Sequence, residues 1–433
     1  MSLPFGSDET TFDQFLQELP ADFRELAVEF KAFCRPRKIK TPEQLLRVVM
    51  SYCGLDAALR EVAGDFTLLE ERISDTAIHR RLQACGPWVK ALLGRMMGEA
   101  AQPLRAGRLR FLIVDGTTVQ SPGATGTEYR LHVTIDWVNL HLVQVVVTDE
   151  HVGEHLNHAP LQDGDVVVLD RGYNQVGMWI DQADRGVSLV VRYNPHGLNL
   201  YEVEGEDPID IARTLRERTA PEFCRPVRVR DPRRKAWLDG YLHGRQLPPA
   251  QAAEARRRVR AAAKKKGRQP QPRTLALAAW VLIWTTLPPS VLPTATIMAL
   301  YRVRWQVELV IKRLKSILHI DQLRARKDSL LADLYLHGKL LYAWVVEKRL
   351  RRRGGHEENR LDQPRRATPW RAWKLLHREL ATAISGVREW DRRRWAAALD
   401  VMRERPRRRA LQTVPERIRR LIADCQAHGL SNI

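Results

Sequence analysis

Tyr301, Arg304, Glu308 and Lys315 are spaced so that one α-helix would carry a phenol, a guanidinium, a carboxylate and an ammonium along a single stripe. At about 100° per residue, Arg304, Glu308 and Lys315 fall roughly 60°, 20° and 40° to the same side of Tyr301. A helix serving only the core would fill that stripe with apolar residues, and here Leu309, Leu314 and Ile317 lie on other parts of the cylinder. The stripe therefore faces something polar. One acid among bases suits a divalent cation beside a phosphate, because the acid holds the cation while the bases neutralise non-bridging oxygens. The plainer alternative is a solvated helix face with an Arg304–Glu308 pair at i, i+4. Residues elsewhere in the chain decide between them.

Two more acids end short apolar runs. LRFLIVD, Leu109 to Asp115, is followed by Gly116-Thr117-Thr118, and DVVVLD, Asp165 to Asp170, by Arg171-Gly172-Tyr173. Runs of this kind read as buried strands. An acid at the C-terminal end of such a strand, with a glycine turn directly behind it, stands where open α/β sheets bind ligands. Two strand-end aspartates and one helical glutamate form a minimal oxygen cage for a pair of Mg²⁺ ions, which take few protein carboxylates and leave other positions to water and phosphate.

In this order the residues resemble the DDE transposases of the insertion-sequence-four family. The marks of that family are DGT or DGS after the first strand, DRGY or DRGF after the second, and the signature Y-x2-R-x3-E-x6-K. Asp115-Gly116-Thr117, Asp170-Arg171-Gly172-Tyr173 and Tyr301 through Lys315 match at every interval, and the resemblance covers approximately residues 75 to 330. It implies that Asp115, Asp170 and Glu308 are catalytic and hold two Mg²⁺ ions, with Mn²⁺ able to substitute. Tyr301, Arg304 and Lys315 then grip the DNA phosphate near the transposon end, assisted by Lys312, which lies within about 20° of Tyr301 on the same helical count.

The activity implied is cut-and-paste movement of a bacterial insertion sequence, through a hairpin, on double-stranded DNA carrying terminal inverted repeats and on target DNA. A homodimer is expected in the synaptic complex. In relatives that pass through a hairpin, a tryptophan opening the WxLL strand stacks on a flipped base; Trp280 matches that position better than Trp284. Two other classes stay open: a catalytically silent DNA-binding derivative or inhibitor of such a transposase, and a simple nuclease of the same fold.

The formal charge of +20 and pI near 10.2 favour a polyanionic partner. Membrane is not expected: the longest apolar stretch, Leu275 to Leu287, is closed by Pro288 and Pro289 and falls short of the roughly 20 residues a span needs. MSLPFGSDETTFDQF lacks the regions of a signal peptide, so a cytoplasmic, nucleoid-associated location is expected. Five scattered cysteines without a CxxC pair argue against a disulfide framework or zinc ribbon. His151, Glu154, His155 and His158 read as a polar loop between strands rather than a transition-metal site, with Glu154 the member nearest the acids.

Residues 1–104 read as a helical N-terminal DNA-binding domain. Helices open at Thr41-Pro42 and at Ser74; Arg80 and Arg81 on the latter fit either a helix-turn-helix or a plain bundle. Residues 105–193 and 291–330 read as an α/β catalytic domain, with strands at Leu109 to Val114, Tyr129 to Trp137, His141 to Thr148, Asp165 to Leu169 and Ser188 to Tyr193. A helix from Gln175 to Asp184 precedes the last strand. Three strands, then strand, helix, strand, is the order of a ribonuclease-H-like mixed sheet. Residues 194–290 read as an insertion, because Asp170 and Glu308 stand too far apart in sequence for one connection, and the family resemblance implies that it is β-rich. The insertion carries a basic helical run over residues 251–268, a solvated face or a phosphate contact, and the strand Trp280 to Trp284. Residues 331–433 are expected to be helical and arginine-rich, interleaved with Trp370, Trp373, Trp390 and Trp395, and to bind DNA or join subunits.

Overall fold

The computed structural model describes residues 11–100, 110–353 apart from 122, 139 and 196, 368–386, and the isolated positions 416, 418–420 and 423. The arginine triplets beyond residue 390, Trp390 and Trp395 lie outside them. The chain divides into two compact units. One comprises residues 1–102, 116–153 and 306–413; the other comprises 103–115, 154–305 and 414–433.

The first unit is mainly helical. Its N-terminal part holds α1 (Phe12–Leu16), α2 (Phe23–Glu29), α3 (Pro42–Cys53), α4 (Leu59–Leu69), α5 (Asp75–Gln83) and α6 (Gly86–Ala100). The Thr41 and Ser74 hydroxyls accept from the backbone N–H groups of Gln44 and Ala77, each at 3.2 Å, and so fix where α3 and α5 begin. The α5 helix stops at Gln83 instead of running on toward Trp88, which sits fully buried in α6.

The centre of this unit is α13 (Leu330–Arg353), preceded in the chain by α12 (Gln306–Leu318) and followed by α14 (Pro369–Ser385). Leu334, Tyr335, Leu340, Leu341, Tyr342, Val345 and Val346 bury α13 on nearly every side, the mark of a core helix. Its buried charges are each paired. Lys339 Nζ donates to Asp56 at 3.0 Å, and Arg349 donates to Glu379. Glu347 accepts from Arg313 at 3.2 Å and from Trp373 Nε1 at 2.9 Å, which pins α12 and α14 to α13. No helix among the described residues is long and apolar enough to cross a membrane.

The same unit carries the antiparallel pair β2 (Tyr129–Asp136) and β3 (Leu142–Asp149). The strand β1 (Arg110–Val119) contributes its residues 116–119 here and its first six residues to the second unit. Within the second unit β1 is followed by β4 (Asp165–Leu169), β5 (Ser188–Arg192), β6 (Glu222–Asp231), β7 (Ala236–Gln246) and β8 (Trp280–Thr285), hydrogen-bonded in the order β1-β4-β5-β8-β7-β6. The β1–β4 and β4–β5 pairs are parallel, and the pairs from β5 outward are antiparallel. This is the mixed sheet of a ribonuclease-H-like fold, with the insertion prolonging it beyond β5.

Register between β1 and β4 is fixed by a buried ion pair at its start. Arg110 is aligned with Asp165 and donates to its two oxygens at 2.8 and 2.6 Å. Every residue of β4 is buried, as expected for a parallel strand covered on both faces. Helices α7 (Val176–Ala183), α8 (Ile211–Arg216), α9 (Pro249–Lys265), α10 (Pro272–Leu277) and α11 (Thr294–Val303) complete the unit.

Two buried imidazoles set an acid limit to stability. His243, hydrogen-bonded through Nδ1 to Thr294, and His377, through Nδ1 to Tyr342, are both pushed down by burial from 6.5 to about 4. The folded chain therefore binds fewer protons than the unfolded chain, and stability present above about pH 6.5 is lost as pH falls toward 4. Thermal midpoints should decline across that interval, and His243→Asn should make the decline shallower. An unchanged slope in that variant would refute the assignment for His243.

Candidate active site

Asp115 and Asp170 belong to the second unit: Asp115 lies in β1, and Asp170 directly follows β4, its parallel neighbour. The register pairs Ile113 with Val168. Asp115 stands two residues beyond that pair in β1, and Asp170 two residues beyond it, directly after β4 ends. One expectation is corrected here. Asp115 does not end its strand: β1 runs on through Gly116, Thr117 and Thr118 to Val119, so no turn follows the first acid. It is β4 that ends, at Leu169, and this leaves Asp115 at the carboxyl edge of the parallel pair. Asp170 does open a turn, closed by the Tyr173 N–H donating to the Asp170 carbonyl at 3.2 Å.

The continuous helix expected across the signature is also corrected. The chain leaves helix at Arg304 and Trp305, so Tyr301 lies in the last turn of α11, Arg304 caps it, and Glu308 falls in the first turn of α12. The Arg304 N–H donates to the Tyr301 carbonyl at 3.1 Å, an i to i−3 bond that tightens the final turn. The break comes where the Arg304 guanidinium turns to Asp115. The helical count from Tyr301 therefore does not carry across it, and holds only within α12. There Glu308 and Lys312 are exposed and Lys315 half-exposed, on one face at i, i+4 and i+7. These three belong to the first unit.

Tyr301 and Arg304 engage the two aspartates directly. The Tyr301 hydroxyl donates to Asp170 Oδ1 at 3.3 Å, and Arg304 donates to Asp115 Oδ2 at 3.2 Å. Burial, with the Asp170 charge beside it, raises the Tyr301 phenol well above its ordinary range, so it stays a proton donor. Arg192 opposes that shift. Arg192 is a residue sequence reasoning passed over. Its signal was present: it ends the run SLVVR in β5, one residue past the Leu169–Val191 pair, as Asp170 is one residue past it after β4.

Glu154 comes close to the same turn. A Cβ on Gly172 would meet its Oε2 at 1.9 Å, so the glycine is what lets this carboxylate lie against the backbone two residues from Asp170.

Trp280 and Trp284 are both buried but have different neighbours. Trp284 is fully buried and stacks on Trp179 at 4.9 Å between ring centroids. Trp280, tilted against Phe223, lines a cavity of about 130 Å³ shared with Arg171, Arg192, Tyr193 and Thr274. Among the more distant residues, Arg80 is exposed on α5, whereas Arg81 donates to the Arg35 carbonyl at 2.6 Å and is used by its own fold. The basic run forms α9, with only Ala252 buried.

Among the described residues, no three His, Cys, Asp or Glu side chains gather closely enough to hold a metal ion. The donor chemistry of the aspartate pair nevertheless fits one. Asp115 and Asp170 offer hard carboxylate oxygens, the ligands of Mg²⁺ and Mn²⁺, and a cationic guanidinium already stands on Asp115.

Residues 106–344 match the model of the transposase DDE domain. The chain is 30% identical over 325 residues to the InsL proteins of insertion sequence elements IS186A and IS186B of Escherichia coli (strain K12), covering 73% of this chain and 87% of each relative. It is likewise 30% identical over 326 residues to the transposase for insertion sequence element IS421 of Escherichia coli, again covering 73% and 87%. The matched span includes both aspartates, the insertion and the whole Y-x2-R-x3-E-x6-K signature. The protein belongs to the DDE-domain transposases of insertion sequences.

Proposed function

We propose that this transposase cuts DNA at the ends of its element and joins the freed ends to target DNA by in-line displacement at phosphorus. The observation that carries the reading is the pair of hydrogen bonds by which Arg304 and Tyr301 of the signature donate to Asp115 and Asp170. Divalent cations held by Asp115, Asp170 and Glu308, two Mg²⁺ or Mn²⁺ ions, would polarise the attacking oxygen and stabilise the leaving one. Glu308 enters on the strength of its place in the signature.

The protein's own groups bind and orient the phosphate. Arg304 and Tyr301 are donors, and an incoming phosphate offers them anionic oxygens in place of the carboxylates they hold. Because its phenol remains protonated, Tyr301 orients the phosphate and is not the attacking nucleophile. Lys315 and Lys312 neutralise the same strand from α12. The successive steps run through a hairpin, with Trp280 stacking on a base displaced into the cavity that Arg171 and Arg192 line. Exposed Arg80 and the basic face of α9 contact the remaining duplex, and two subunits synapse the two ends.

The test is a linear duplex carrying the DNA that flanks the protein's own gene, incubated with Mg²⁺ and run on a denaturing gel beside Glu308→Gln. Wild type alone should cut at the element ends. Specific retention of that DNA without cutting by either protein would replace this reading with a DNA-binding derivative.

A further inference from the structure

Two lysines from different helices share one indole in the first unit. Lys312 of α12 lies over the Trp370 ring with its Nζ 5.8 Å from the centroid, and Lys374 of α14 lies over the same ring at 5.5 Å. Both lysines are exposed and Trp370 is half-exposed. Among the described residues neither ammonium has a carboxylate within ion-pair distance. Lys315, one turn further along α12, extends the same face without such a partner. Lysine side chains are long and mobile, so two of them gathered on one ring repel each other until an anion arrives. The ring supplies the compensating attraction, because the negative face of an indole holds a cation and restricts where its head can go.

We propose that α14 is a DNA-contacting helix, and that Lys374 and Lys312, ordered by Trp370, clamp consecutive phosphates of one DNA strand beside the signature helix. The inference rests on the DNA-cutting reading above and assigns a partner to the start of the C-terminal region. Charge complementarity selects the occupant: two ammoniums on an exposed face with no ion pair among the described residues, in a chain of net charge +20, fit a polyanionic backbone. The indole acts as their spacer. A contact of this kind recognises phosphate irrespective of sequence.

The experiment measures the full chain's affinity for a duplex of random sequence at several salt concentrations. Each phosphate contact contributes about 0.9 to the slope of log affinity against log salt. Lys374→Ala should reduce the slope by about one, and the loss of affinity between 50 and 200 mM salt should become about threefold smaller. Lys374→Arg keeps the charge and the ring contact and should restore the wild-type slope. A slope unchanged in Lys374→Ala overturns the proposal. So does an unchanged slope joined to a shifted monomer–dimer distribution in sedimentation, which would make the platform a subunit contact. Because the duplex is random, failure to cut the element's own ends would count against the proposed function while leaving this comparison readable.

Discussion

Asp115→Asn should lower strand cleavage by about 10³-fold or more, the scale on which losing one preorganised charge-stabilising group is felt, while DNA affinity stays at the wild-type value. The substitution keeps the shape of the side chain and an oxygen that can still accept from Arg304, so the local fold is retained. What disappears is the negative charge that sets Asp115 apart from the apolar residues before it in β1. Arg304 keeps a neutral acceptor in place of its ionic partner, in a pair at 3.2 Å that is only 12% and 18% exposed. Binding by gel shift and cleavage on a denaturing gel separate the two effects. Normal cutting by the variant would remove Asp115 from the catalytic set.

Glu347→Ala should destabilise the helical unit by about 3–5 kcal/mol, the usual penalty for leaving a buried partner charge uncompensated. Glu347 and Arg313 are 2% and 5% exposed, and the same carboxylate also accepts from Trp373. Removing it leaves a guanidinium and an indole N–H without their acceptor inside the core, where water does not replace it. The measurement is the urea midpoint of the transition that reports on α13, followed by tryptophan fluorescence. Glu347→Gln, which keeps an acceptor for Trp373 but not the charge, should fall between. A midpoint within error of wild type in Glu347→Ala would show that the network contributes nothing to holding α12.

Much of this arrangement was legible because it is written in local chemistry. DVVVL read as a buried strand and is one, and the Thr41 and Ser74 caps began helices where expected. The basic run of α9 and the strand at Trp280 also fell in place. The two aspartates stood out in the sequence because each follows four apolar residues, where a charge is unusual. The helix break after Val303 was not legible, since neither proline nor glycine marks it and YRVRWQVE is helix-compatible throughout. At the break Arg304 meets Asp115, a contact 189 positions away that the local sequence does not show. The same holds for the extent of β1, whose Gly116-Thr117-Thr118 reads as a turn in isolation and becomes strand in the sheet. Arg192 was missed because a charge at a strand end is ordinary until the register of β4 and β5 sets it beside Asp170.

The strand β8 reads WVLIWT, six residues without a charge or a proline, and it is bonded on one side by β5 and on the other by β7. Both of its backbone edges are therefore spoken for by other parts of the same unit. The hairpin of β6 and β7 acts as a shield for the most self-adhesive segment of the sheet, and places at the rim a strand studded with Arg225, Arg228 and Arg230 instead. A chain trimmed of this insertion to reach a minimal catalytic core would expose an unpaired apolar ribbon of the kind that seeds intermolecular strand pairing. Shielding β8 is thus a role the hairpin plays whatever else the insertion does, and tolerance to shortening should be sought in the loops between its strands.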